Sequence, residues 1–390
     1  MLSKSQSVMH MQRVATKDVI QADAPNVFIG HHGYPKVNVG FLTPAEKQPE
    51  TWRLDAPRVW ATEEQGIPEI IQHRSSLINS RFLSGIQETG SMIQKAQEVS
   101  MAVKPVDLDV SFSKRPHVGM HFDTYALPSG PSAFAGKVDI TSNPRIPTAV
   151  EKVVSDIDLR AGHAVATLHS RGFDEHYLTK LLSMGNIGKK QSRKLVPTRW
   201  SITAVDDTLG KQIAAEILDY EKTGPRLQFG GYLGNYFMIL LFNRLWSYEL
   251  FEMYTPQGGD NGTMDGKLEF TTDYEMHTGR KEYAKETVGG YYAARLSILE
   301  ALQAEKRQAT CIVLRFITDE YACPLGVWVV REAVRKAMQS KQHRFTSEKQ
   351  MLAYGLFIAQ RKFNFRIDRL LKHSALYKYM QTQKILRDFK

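Results

Sequence analysis

The sequence predicts an α+β fold: mixed sheets with amphipathic helices, arranged as two closely packed domains. Three observations carry this expectation. Apolar and polar residues alternate with a period of two, most clearly over 106–112. Other stretches space their apolar residues as amphipathic helices do. The two kinds of segment follow no regular βαβ alternation, which argues against a doubly wound parallel sheet. A chain of 390 residues can bury a sizeable core and has a natural length for two domains. The expected division is a lead-in at 1–22, domains at 23–273 and 274–380, and a tail at 381–390.

Residues 1–22 are polar and unpatterned and read as a flexible lead-in. Gly30, Gly33 and Pro35 make a turn before a half-buried strand, in which Val37, Val39 and Phe41 alternate with Lys36, Asn38 and Gly40. The turn matches neither a dinucleotide-binding nor a Walker A pattern, and His31-His32 read as surface residues. Pro68 opens a helix over about 68–80, with Ile70, Ile71, Leu77 and Ile78 inward. Arg74 on it reads as a surface ion pair, and a second helix follows over about 84–101. Val106, Leu108, Val110 and Phe112 then form the clearest strand. Its Asp107 and Asp109 share a face, either to hold a divalent metal or to form the solvent side of an edge strand. The proline-punctuated stretch 113–147 is a functional loop or a set of short strands. Helices return over about 148–154, 158–171 and 174–184, the last two stopping at Gly172 and Gly185.

The stretch 186–211 concentrates the chemistry. Lys189, Lys190, Arg193 and Lys194 form a cluster without an acidic residue. A run with strand character, Leu195 to Val205, carries Arg199 beside Trp200. Asp206-Asp207 then stand where an N-cap would open a helix over 208–222. Leu227 to Glu252 reads as two buried strands joined near Asn243-Arg244, its aromatics core residues. An exposed Gly/Asp/Asn loop occupies 256–267. The remainder reads as helices over 280–288 and 290–307, a strand Thr310 to Thr318, and a helix Val327 to Gln339. A capping box Ser347-x-x-Gln350 opens a helix over 348–361, and a last helix covers 365–379.

The net charge of +10 suggests an anionic partner. Its distribution says more. Residues 185–200 hold five Lys/Arg and no Asp/Glu, and residues 361–390 hold nine against two. These two segments account for the whole excess, as a footprint for phosphate does. Two cysteines, Cys311 and Cys323, argue for a reducing interior and exclude a four-cysteine zinc site built from this chain alone. Both read as core or near-core thiols. Neither a signal-peptide pattern nor an apolar run of membrane-spanning length is present, so the expectation is an intracellular protein with no membrane partner.

The block Lys194-Leu195-Val196-Pro197-Thr198-Arg199-Trp200-Ser201-Ile202-Thr203-Ala204-Val205-Asp206-Asp207 resembles the signature of the archaeal Nre DNA-repair family. Further blocks match in the same order. They are Phe28-Ile29-Gly30, Gly33 to Gly40, His73 to Leu77, Gly289 to Leu296 and Val327 to Glu332. The resemblance implies DNA repair and a sliding-clamp (PCNA) partner, and it implies no particular reaction. Many members of that family carry an N-terminal zinc-binding cysteine cluster, which this chain lacks.

The last eight residues, Gln383, Lys384, Ile385, Leu386, Arg387, Asp388, Phe389 and Lys390, resemble the clamp-binding box of PCNA partners. One helical turn brings Leu386 and Phe389 to one side, where they can plug an apolar pocket. Lys390 stands where the box has its second aromatic, which predicts a weaker plug. The leading expectation is a repair factor that binds DNA through Lys189, Lys190, Arg193, Lys194 and Arg199 and is tethered to the clamp by its tail. One alternative is a nuclease or related phosphodiester-processing enzyme, in which Asp206 and Asp207 bind Mg²⁺ and Arg199 or Lys194 steadies the transition state. Another is a clamp-bound scaffold without DNA contact. No cofactor is expected outside the nuclease reading.

Overall fold

The computed structural model describes residues 18–117, 119–255, 263–264 and 267–382. Two compact units emerge, Met1–Leu209 with Pro324–Gly326, and Gly210–Cys323 with Val327–Lys390. The expected α+β class with mixed sheets is the one observed: each unit is built on a six-stranded mixed sheet.

The first unit contains strands β1 (Val19–Ala24), β2 (Asn26–Ile29), β3 (Lys36–Pro44), β4 (Leu77–Gly85), β5 (Val106–His117) and β6 (Ser132–Ile140). Its helices are α1 (Pro57–Thr62), α2 (Ile67–Ser75), α3 (Ser91–Met101), α4 (Thr148–Ser155), α5 (Ala161–His169), α6 (Glu175–Ser183) and the opening turns of α7 (Thr198–Ile217). The sheet order is β1-β5-β6-β4-β3-β2, antiparallel except for β4 beside β6. Val37, Val39 and Phe41 alternate inward to meet Val106, Leu108 and Val110 and the apolar face of α3, Ile93, Ala96 and Val99. β5 lies inside the sheet rather than at its edge. Asp107 on it is bound to Lys47 at 2.6 Å.

The expected helix over 68–80 stops at Ser75, because Leu77–Gly85 pairs along the full length of β3. The next helix accordingly begins at Ser91, not 84.

A buried polar knot ties this unit together. Arg74 is only 2% exposed and is no surface residue. Its guanidinium pairs with the Asp55 carboxylate and donates from Nε to the carbonyl of Pro128 at 2.7 Å. Asp55 also accepts from Asn26 and, at 2.8 Å, from Nε2 of His176. Burial would raise the Asp55 carboxyl, yet His176 and Arg74 hold it below the usual carboxylate range. Burial likewise opposes charge on His176, and Asp55 outweighs it and lifts the imidazole above its ordinary value.

The second unit opens at Gly210 within α7. It contains β7 (Glu221–Lys222), β8 (Arg226–Tyr232), β9 (Asn235–Phe242), β10 (Ser247–Tyr254), β11 (Thr263–Met264), β12 (Lys267–Leu268), β13 (Thr271–Glu275), β14 (Arg307–Gln308), β15 (Thr310–Ile317) and β16 (His343–Arg344). Its further helices are α8 (Val288–Glu305), α9 (Trp328–Gln339), α10 (Glu348–Phe363), α11 (Ile367–Leu371) and α12 (Ala375–Thr382). The main sheet runs β13-β10-β15-β9-β8-β16, with β10 and β15 parallel.

Period-two alternation sorts its side chains. Leu227, Met238, Leu240 and Leu314 face one core shared with Met351 of α10, Leu370 of α11 and Leu376 of α12. The opposite face meets α9, where a Cβ on Gly230 would lie 2.8 Å from the backbone of Ala337. The fully buried strands explain the continuous apolar run at 236–242. Cys311 lies in this sheet, and burial pushes its thiol up to about 12, while Cys323 is half-buried.

Three expectations fail here, each for a local reason. Leu227–Glu252 holds three strands rather than two, because Leu233 and Gly234 take positive φ (50° and 73°) and turn β8 into β9. Residues 280–287 are not helical: the Asp273 carboxylate accepts from the backbone N–H groups of Glu286 and Thr287, both at 2.8 Å, and diverts them from a helix. The last helix breaks at Ser374. Glu249, fully buried on β10, accepts from the Ser374 hydroxyl and from the N–H groups of Ala375 (2.8 Å) and Leu376 (3.1 Å), so α12 starts afresh on that carboxylate.

Candidate nucleic-acid interface

The basic segment lies between α6 and α7, and backbone bonds pin it along its length. Lys190 N–H donates to Ile157, Leu195 N–H to Ile86 and Val196 N–H to Ser183, each at 2.8 Å. Gly185 opens the segment at φ +66°, with the backbone of Lys194 only 2.7 Å from where a Cβ would sit, so a side chain has neither room nor an easy conformation there. Lys189, Lys190 and Lys194 are exposed. Arg193 differs: it donates to the carbonyls of Gly188 (2.7 Å), Val154 (2.9 Å) and Asp156 (3.0 Å). Its guanidinium holds the loop's shape, whatever further contact it makes.

The chain then turns into α7, where a strand was expected. Ser201, Val205, Leu209, Ile213 and Ile217 are all buried and stand four residues apart, the spacing of one helical face. Asp206 and Asp207 therefore do not cap a helix; they sit about two turns inside one. Successive side chains leave a helix about 100° apart, so the two carboxylates do not point at a common ion. Asp206 is buried and Asp207 half-buried. Among the described residues no three His, Cys, Asp or Glu side chains group as metal ligands.

The first turn of α7 gathers residues from distant parts of the sequence. Thr198 Oγ1 accepts from the N–H of Ile29 at the end of β2, at 2.9 Å. That contact brings the β2–β3 turn beside Arg199 and Trp200. Arg199 donates to Nε2 of His31 at 3.1 Å, lies 3.9 Å from the Asp123 carboxylate, and packs its guanidinium over the Tyr125 ring at 4.2 Å. Asp123 itself accepts from the N–H groups of Tyr125 and Ala126 at 2.7 and 3.0 Å, a short turn that presents Tyr125 to Arg199. Burial, then Arg199 and His32, push His31 below its ordinary value, which fits its Nε2 accepting a bond from a cation.

Trp200 and Tyr34 meet edge to face, 5.1 Å apart, and remain 44% and 41% exposed. An exposed aromatic pair is thus held beside a guanidinium at a helix N-terminus, where backbone donors and the helix dipole also favour anions.

Of the expected DNA contacts, Lys189, Lys190 and Lys194 present free ends to solvent, Arg199 stands in a cage, and Arg193 is committed to carbonyls. Sequence reasoning did not single out Asp123 or Tyr125, and it left His31 as a surface residue and Tyr34 without a role. The clamp-like motif Gln383 to Lys390 lies outside the described residues. Among the described residues no helix is long and apolar enough to cross a membrane.

The profile for the N-terminal part of archaeal Nre proteins matches residues 1–259, and that for the C-terminal part matches residues 275–389. The chain is 39% identical over 364 residues to "DNA repair protein NreB" of Archaeoglobus fulgidus, covering 93% of this chain and 90% of that one. It is 33% identical over 338 residues to "DNA repair protein NreA" of Haloferax volcanii, covering 83% and 80%. It is also 37% identical over 333 residues to "DNA repair protein NreA" of A. fulgidus, covering 84% and 82%. No solved structure matches the chain.

Proposed function

This chain belongs to the archaeal Nre family, and from that premise we propose that it serves DNA repair by binding DNA through the face at the start of α7 and by docking its C-terminal motif on a sliding clamp. The observation that carries the DNA contact is the exposed Trp200–Tyr34 pair beside Arg199, in the same segment as the exposed Lys189, Lys190 and Lys194. The lysines neutralise phosphates, and the rings stack on unpaired bases. A ring pair half open to solvent suits single strands or frayed ends better than an intact duplex, whose bases are already stacked. The clamp contact is assigned to Gln383, Lys384, Ile385, Leu386, Arg387, Asp388, Phe389 and Lys390, with Leu386 and Phe389 as the apolar anchors. Tethering raises the local concentration of DNA without tight binding at either site.

The test pairs two measurements. Single-stranded DNA binding is titrated over a range of salt for the wild type, Trp200→Ala, and Lys189→Gln/Lys190→Gln/Lys194→Gln. Loss of a stacked base should cost about 1–3 kcal/mol at every salt concentration. Loss of the lysines should flatten the salt slope by roughly 0.7 for each phosphate contact removed. No binding even at low salt would leave only a clamp-bound scaffold. Calorimetric titration of the cognate clamp with the full chain and with a chain ending at Met380 tests the tether. Heat that survives truncation would move the clamp contact elsewhere.

A further inference from the structure

The second unit holds a cavity of about 360 Å³ between the β9–β10 turn, β7 and α12. That is within the size range of small-molecule sites. Its rim carries three basic side chains, Lys222, Arg244 and His277, and among the described residues no acidic side chain lines it. Arg244 reaches one carboxylate, Glu348, at 3.4 Å, and its Nε is buried without a hydrogen-bond partner among the described residues. Asn243, Ser247 and Thr310 add neutral polar groups. Leu376, Tyr379 and Met380 of α12 also line it and supply aliphatic and aromatic surface.

The cavity is held open by bonds that serve no sheet. Gln308 accepts from Trp246 N–H at 3.1 Å and donates to the carbonyls of Leu218 and Tyr220 at 2.8 and 2.6 Å. Thr310 donates to the carbonyl of Leu245 at 2.7 Å. The turn that presents Arg244 is therefore fixed in advance against the segment that presents Lys222, and a ligand would not have to order it.

A lining that combines basic side chains with aromatic and aliphatic surface suits an amphipathic anion. We propose that this cavity binds a phosphomonoester carried on a planar apolar body, the chemistry shared by a free mononucleotide and the 5′-phosphorylated end of a DNA strand. Lys222, Arg244 and His277 hold the phosphate; Tyr379, exposed above the buried Leu376 and Met380, covers the base.

The site shares no residue with the face at the start of α7, so the two readings fail separately. The experiment uses the full chain and measures binding of deoxyadenosine 5′-monophosphate and of deoxyadenosine. The monophosphate should bind at least tenfold tighter, and Lys222→Gln/Arg244→Gln should remove that advantage while Trp200→Ala leaves it intact. Should the Arg244 change unfold the chain through its contact with Glu348, the exposed pair Lys222→Gln/His277→Gln makes the same test, with a smaller expected loss of about threefold or more. Competition with 5′-phosphorylated and 5′-hydroxyl oligonucleotides separates the sources. Displacement by the phosphorylated strand alone identifies a DNA end, and displacement by neither identifies a free nucleotide. Equal affinity for nucleoside and nucleotide, or wild-type nucleotide binding by the double variants, would overturn the proposal.

Discussion

Replacing Arg74 by methionine removes the cation from the polar knot of the first unit while keeping most of the side chain's bulk. The Asp55 carboxylate beside it is buried and retains His176 and Asn26 as partners. The Pro128 carbonyl loses a 2.7 Å bond to a charged donor. Breaking a buried pair on one side costs about 3–5 kcal/mol, because the remaining charge stays buried. The two surviving partners of Asp55 argue for the lower end, about 3 kcal/mol, which for a unit of this size lowers its melting temperature by about 6–12 °C. Thermal and urea unfolding of the wild type, Arg74→Met, Asp55→Asn and the double variant supply the assay. The double variant should lose less than the sum of the single ones by at least about 1 kcal/mol, since it no longer leaves a buried carboxylate without its guanidinium. A cost below about 1 kcal/mol for Arg74→Met, or strict additivity, would refute the view that this knot is a mutually dependent buried network.

Three further outcomes follow from the same geometry. Because Asp55 raises the His176 imidazole, its stabilising contribution is whole below the ordinary value of 6.5 and drains away as the pH climbs through the raised one. The melting-temperature gap between wild type and His176→Gln should therefore narrow with rising pH; a gap that stays constant would count against the pairing. His31, pushed down by burial, works in the opposite sense, so the difference between the two chains is the informative quantity, not either curve alone. Gly230→Ala drives a methyl to 2.8 Å from the backbone of Ala337, and overpacking of about 1–3 kcal/mol should shift the urea midpoint of the second unit; an unchanged midpoint would mean that α9 yields freely. Ser347 accepts from the N–H of Gln350 at 3.3 Å as the N-cap of α10, and Ser347→Ala should cost about 1 kcal/mol, with Ser347→Gly costing less.

Elements with one dominant signal were readable from the residues. Strands β3 and β5 showed period-two alternation, α10 announced itself through its capping box, and α5 and α6 stop at glycines that do take positive φ. What escaped reading was set at long range. Leu77 and Ile78 suit a helix as well as a strand, and only pairing with β3 decides between them. Leu233 carries no turn signal, since leucine seldom takes positive φ; the Asn235 and Thr318 contacts around it come from the fold. The β-branched residues Ile202, Thr203 and Val205 suggest a strand, yet the four-residue spacing from Ser201 to Ile217 favours the helix α7. Arg74 was misread because a lone arginine in a helix gives no hint that Asp55, His176 and Asn26 will surround it. The candidate interface was half legible for the same reason. Its cations and Trp200 lie in one stretch, whereas Tyr34, His31, Asp123 and Tyr125 reach it only through the β2–β3 turn and the loop before β6.

Glu249 gives α12 a fixed point of departure. The carboxylate sits in a central strand and grips the first residues of the helix, so the end of α12 at Thr382 is set by the sheet rather than by a loose connection. Leu386 lies four residues beyond, and an extended chain of that length reaches no more than about 14 Å. On the clamp docking proposed above, a clamp gripping Leu386 and Phe389 is held within that reach of the end of α12. Its orbit around the repair factor would be narrow, and lengthening the leash with a few glycines after Thr382 should loosen the placement of the clamp without altering the motif it recognises.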